Sequence, residues 1–222
     1  MTLVLVLAVA AAVAWYLQDR QRPGAGSSAA AQARRLRTPL VRLADLVGIQ
    51  TARGRQAHQW DAGAAGERAT AARLAPLARS GWTVLHDRAL PTGRSNVDHL
   101  LVSPSGVVIV LNSKLWTSRY PLRVEGGRLR HGDRDVSAWV EGVRHEARAV
   151  SRALECPVIP LVSMEGPAES PDPGGEWVFD SIRIVPAHRI VPVLRAIGRR
   201  HASTGQHPGT RAAALFPAYR RK

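Results

Sequence analysis

The stretch Asn96–Trp116, N-V-D-H-L-L-V-S-P-S-G-V-V-I-V-L-N-S-K-L-W, constrains this chain more than any other. Two β-branched, apolar runs, 97–102 and 107–111, flank Ser103-Pro104-Ser105-Gly106, whose composition is that of a hairpin loop. The runs are expected to pair antiparallel. A three-residue loop with Gly106 at positive φ sets Ser103 opposite Val107, and therefore Asp98 opposite Asn112. Because strand side chains alternate, Asp98, Leu100 and Val102 then share a face with Val108, Val110, Asn112 and Lys114. Three polar groups collect at the open end of an apolar hairpin.

The choice of lysine adds to this. Of the 31 Lys plus Arg residues, only Lys114 and Lys222 are lysine. A chain that otherwise writes positive charge as arginine uses a compact ammonium directly after an apolar strand, where a planar fork serves a different geometry. Taken singly, Lys114 also fits a strand-end residue reaching solvent, and Asp98 a strand-start turn residue.

The run V-D-H-L-L-V-S-P-S-G-V-V-I-V-L-N-S-K-L-W resembles the core of the nuclease-related domain (NERD) family, a branch of the PD-(D/E)xK nuclease superfamily. Asp98, His99, Lys114 and Trp116 match its Asp-His, strand, Pro-x-Gly turn, strand, acid-x-Lys and Trp pattern. Asn112 departs from it, since the family usually carries Glu or Asp there. The resemblance implies a Mg²⁺-dependent DNA phosphodiester hydrolase. Asp98, Asn112 and Glu67 would be the metal-facing residues and Lys114 the cation that positions the nucleophile or offsets developing charge. Asn112 can offer an amide oxygen but no charge, which implies weakened activity or a non-catalytic module that binds nucleic acid or a partner. Glu125 is one candidate for restoring the missing acid.

Glu67 follows Gly63-Ala64-Ala65-Gly66 and shares a helix face with Ala71, Leu74 and Ala78. A carboxylate on an apolar stripe marks either a site with a cationic partner or a first-turn residue favoured by the helix dipole. The residues alone leave both open. The family resemblance favours the site, because Gly63, Gly66 and Glu67 fit its G-x-x-G-E pattern.

The formal charge of +14 favours an anionic partner, either nucleic acid or an acidic membrane face. A single cysteine, Cys156, excludes an internal disulfide and a cysteine zinc cluster. Met1 to Leu17 is almost wholly apolar and is followed, not preceded, by arginines. That asymmetry is expected of a single-pass transmembrane anchor with the remainder cytoplasmic; the alternative is a secreted form after signal cleavage.

Residues 18–60 read as a linker containing a basic amphipathic segment, 34–47, which is able to lie on an anionic leaflet or pack on the domain. The folded domain is expected at 61–200 and a basic tail at 201–222. A helix at 137–154, N-capped by Ser137, presents a row of Arg144, Arg148 and Arg152. Strands alternating with helices give an α/β class, expected as a restriction-endonuclease-like mixed sheet flanked by helices. His99 faces away from Asp98 and is assigned a structural role.

Overall fold

The computed structural model describes residues 24–91, 95–166, 175–200 and 207–219. The hairpin builds its centre. Strand β1 (Thr83–Ala89) pairs antiparallel with β2 (Asn96–Val102), which pairs antiparallel with β3 (Val108–Leu115). Val102 lies opposite Val108 and His99 opposite Leu111, the expected register up to one step short of Asp98 and Asn112. Gly106 takes φ 85°, and the Ser103 amide donates to the Val107 carbonyl at 2.9 Å, closing the three-residue loop.

A long helix, α4 (Ser137–Leu154), carries the chain across to β7 (Val158–Glu165), which joins β3 in parallel. Strands β8 (Trp177–Phe179) and β9 (Ile182–Pro186) complete a six-stranded mixed sheet in the order β1-β2-β3-β7-β9-β8. Between β3 and α4, the strands β4 (Leu122–Glu125), β5 (Arg128–His131) and β6 (Arg134–Asp135) form a small antiparallel sheet.

Both faces of the main sheet are covered, as its apolar strands require. On one side Leu100, Val102, Val108 and Val110 pack with Val140, Val143, Val150 and Leu154 of α4. On the other, Leu101, Ile109 and Leu111 meet Leu74 and Leu77 of α3 (Ala52–Ala78) and Ile190, Leu194 and Ile197 of α5 (Ile190–Arg200).

Several expectations about the periphery are corrected. Residues 18–60 are not simply a linker: from Ser27 the chain forms α1 (Ser27–Leu36) and α2 (Pro39–Leu46), and α3 already begins at Ala52. Thr51 is its N-cap, its hydroxyl accepting the Gly54 amide at 2.9 Å. Helix α3 runs through Pro76 to Ala78. Ser137 is the first residue of α4, with Val136 at the N-cap; its hydroxyl instead accepts the Leu129 amide. The tail includes α6 (Gly209–Leu215) and buries Phe216, and the Pro217 carbonyl accepts the Ala89 amide beside β1.

Among the described residues no helix is long and apolar enough to cross a membrane. The anchor expected at Met1 to Leu17 lies outside the described residues, as do 201–206 and 220–222 of the tail.

Candidate active site at the end of the central hairpin

The hairpin brings Asp98 and Lys114 to the same end of the sheet, at a cleft of about 810 Å³ that Glu67, Asn96, Ser113 and Trp116 also line. Asp98 accepts the Ser113 amide at 2.9 Å through Oδ2, which fixes the carboxylate against β3. The Lys114 charge favours its ionised form. Burial outweighs that help, and the Asp98 pKa stands above the usual carboxylate range.

Glu67 arrives from α3, and Gly66 is what lets the helix come close. A Cβ at Gly66 would stand 3.2 Å from the Leu115 Cβ, so the absent side chain allows α3 to cross the end of β3. Glu67 is buried, and its pKa is pushed up to about 9, first by burial and then by the charges of Asp98 and Asp87. Two groups oppose this: the Gly26 amide, which donates to Oε2 at 3.0 Å, and Lys114. The placement on an apolar stripe therefore reflects an acid within a charged cluster.

The Gly26 contact comes from a segment expected to be linker. Gly26 takes φ 73°, and a Cβ there would lie 2.6 Å from the Ala64 carbonyl oxygen, so only glycine fits the approach. Asp87 secures the same turn. Itself buried at φ 48°, it accepts the Ser27 hydroxyl at 2.6 Å, the Ser28 amide at 2.7 Å and the Asn96 side-chain amide at 2.8 Å. A carboxylate at the start of α1 complements the helix dipole and takes its unpaired amides.

The structure also contributes an acid that sequence reasoning missed. Glu146, on α4, has its pKa pushed up to about 8, by burial first and then by the charge of Asp98, while Lys114 and a hydrogen bond from Asn112 oppose the shift. Asn112 is buried behind the cleft, and its Oδ1 and the Glu146 Oε2 both lack a hydrogen-bond partner. A possible sequence signal was Glu146 within the helix stripe, between Val143 and Ala147 and flanked by arginines. The row Arg144, Arg148 and Arg152 gives the same helix the composition of a solvated face. Glu125, the earlier candidate, sits exposed on β4.

Asp98 and Lys114 are thus shared neighbours of Glu67 on one side and Glu146 on the other. Among the described residues no group of three or more His, Cys, Asp or Glu side chains is placed to hold a metal ion by itself. The donor chemistry nonetheless fits a hard divalent cation. All the available donors are oxygens, two of them are buried and unpartnered, and three acids are held protonated more strongly than in water, first by burial.

His99 lies on the opposite face of β2, fully buried. Its Nδ1 is 2.7 Å from His86 Nδ1 and its Nε2 2.9 Å from the Ser113 hydroxyl, so it supports the backbone that holds Asp98. Burial, with the neighbouring His86, depresses its pKa to about 3. The arginine row on α4 is only partly available, because Arg144 pairs with Asp180.

The α/β domain thus gathers acids and one lysine at the end of its central hairpin. Residues 62–164, a little under half of the chain, match the family model of the nuclease-related domain, consistent with the PD-(D/E)xK nuclease-like superfamily. No curated protein and no solved structure matches the chain. This match suggests a nuclease-related function.

Proposed function

We propose that the protein is a Mg²⁺-dependent DNA phosphodiester hydrolase, tethered to the cytoplasmic face of the cell membrane by residues 1–17. The observation that carries this reading is the convergence of Glu67, Asp98 and Lys114 on one cleft, with Glu146 set beside Asn112. Glu146 supplies the charge that Asn112 lacks, so the acid is displaced from the strand to the packed helix and not lost.

Asp98, Asn112, Glu146 and Glu67 would hold the cation. When bound, it would neutralise non-bridging phosphate oxygens and make water more acidic. The chain's own groups do the rest. Lys114, at the cleft wall, is the fixed ammonium for charge that develops on the phosphate. Asp98 keeps one oxygen on the Ser113 amide, and its other oxygen would be the one offered to the cation. Glu67 must release its proton before it can act as a base or ligand, so the site is expected to gain activity as pH rises toward about 9.

The cleft walls suit a nucleic acid. Trp60 and Trp139 line it and are each more than a third exposed, with Gln56, Gln59 and Arg134 as polar neighbours. Trp139 packs against Trp116 at 5.1 Å between ring centroids, and Trp116 stacks on His131 at 5.2 Å. Such rings offer stacking surfaces to bases without reading sequence.

Asn112 favours a second reading, a non-catalytic module that binds nucleic acid or a partner at the membrane. The two are separated by incubating the detergent-solubilised full chain with linear and circular DNA, with Mg²⁺ or with chelator. Mg²⁺-dependent cleavage that disappears in Asp98→Asn supports the hydrolase. DNA retention without cleavage by the parent chain establishes the module.

A further inference from the structure

We propose that α2 and the turn after it form a membrane-surface contact, lying on an anionic lipid headgroup layer with the leucines among the acyl chains. Leu40, Leu43, Leu46, Val47 and Ile49 are 79, 59, 83, 64 and 60 % exposed, a concentration of large aliphatic side chains that soluble surfaces seldom present. The residues that face the protein are different ones. Val41 is buried, and a Cβ on Gly54 of α3 would stand 3.6 Å from Val41 Cγ1 and 3.0 Å from Asp45 Oδ1.

At about 100° per residue, Leu40, Leu43, Leu46 and Val47 cover roughly a third of the helix circumference on the side away from Val41 and Asp45. The stripe is therefore directed outward by packing on its back. The helix is also formed before any partner arrives: Pro39 occupies its first turn, and the Thr38 hydroxyl accepts the Val41 amide at 3.4 Å.

Charge selects the occupant. Arg42 lies at the edge of the stripe, and Arg34 and Arg53 are exposed on the adjoining helices, while the acid of α2, Asp45, is exposed but sits beside Gly54 of α3, away from the leucine stripe. A second copy of the chain would bring two basic rims together. An anionic headgroup layer neutralises them while the acyl region takes the leucines. The apolar run at Met1 to Leu17 precedes this helix by about twenty residues, within easy reach of the same surface.

The contact is independent of the catalytic reading, but it has a consequence for it. Because α1 links α2 to the turn at Gly26–Ser28, which holds Glu67 and Asp87, lipid contact at α2 sets the orientation of the cleft to the membrane.

The test uses the full chain with Cys156→Ser and a single new cysteine, Leu43→Cys or Leu46→Cys, carrying an environment-sensitive fluorophore. Arg148→Cys, exposed on α4, is the reference position. Each is reconstituted into phosphatidylcholine vesicles, with and without phosphatidylglycerol, that contain acyl-chain spin labels. The expected result is strong quenching at 43 and 46, greater with phosphatidylglycerol, and little at 148. Quenching at 43 and 46 no greater than at 148, or concentration-dependent crosslinking between copies through position 43, overturns the proposal.

Discussion

Asn112 of β3 donates a hydrogen bond to Glu146 of α4, and one oxygen of each side chain is left buried without a partner. That pairing places a carboxylate next to the position where the strand has only an amide. Each charge within such a cluster interacts with the others at low effective dielectric, so its location on strand or helix matters less than its distance.

It follows that Glu146→Gln weakens divalent-cation binding and Asp98→Ala removes it, whereas Asn112→Asp strengthens binding by about ten-fold or more, the effect of one added charge at a partly screened site. Titration calorimetry with Mg²⁺ on the three variants measures this. Unchanged affinity in Glu146→Gln contradicts the assignment.

Gly26→Ala is expected to destabilise the fold by about 1–3 kcal/mol, because it adds a Cβ at positive φ against the Ala64 carbonyl. For a chain of this size that corresponds to a fall in Tm of about 2–4 °C per kcal/mol. The displaced turn also draws the backbone amide of residue 26 away from the Glu67 carboxyl, so the Glu67 pKa rises further. Scanning calorimetry and the pH dependence of Mg²⁺ binding report the two effects separately.

Stability should depend on pH in two opposing windows. Glu67 and Glu146 have raised pKa values in the folded state, about 9 and about 8, so between about 4.5 and those values the folded chain binds more protons than the unfolded one, and stability falls as pH rises. His99 is depressed to about 3, so below 6.5 the unfolded chain takes up the proton first, and stability falls as pH drops toward 3. The acidic and basic effects partly cancel between 4.5 and 6.5, leaving a net decline from about 6.5 to 9. Saturating Mg²⁺ should flatten that decline. Denaturant midpoints across pH, with and without Mg²⁺, check both statements.

Trp139→Ala is expected to weaken binding of single-stranded oligonucleotides by about 5- to 100-fold, the range for loss of one base–aromatic stack. The residue is 44 % exposed, so the melting temperature should change little. Fluorescence anisotropy without divalent metal measures the affinity.

The hairpin was legible in the sequence because its register is fixed twice, by the alternating apolar pattern and by the loop ending in Gly106. Asp98 and Lys114 came with it. Glu67 was legible only through its Gly-containing motif, since the reason for Gly66, the approach to Leu115, is a tertiary contact. Glu146 was hidden for the same reason: a helical glutamate flanked by arginines has the composition of a solvated face, and only the packing of α4 on the sheet turns it inward. Residues 18–60 read as linker because small residues carry little pattern, yet within them Gly26 and Ser28 are what Glu67 and Asp87 bind.

The most direct test of the central claim is Mn²⁺ binding, as the spectroscopic counterpart of Mg²⁺, followed by electron paramagnetic resonance on the full chain beside Asp98→Ala, Glu67→Gln and Glu146→Gln. The account predicts a saturable site in the parent that is lost in Asp98→Ala and weakened in both glutamate variants. Binding that is absent from the parent, or that survives Asp98→Ala undiminished, contradicts it.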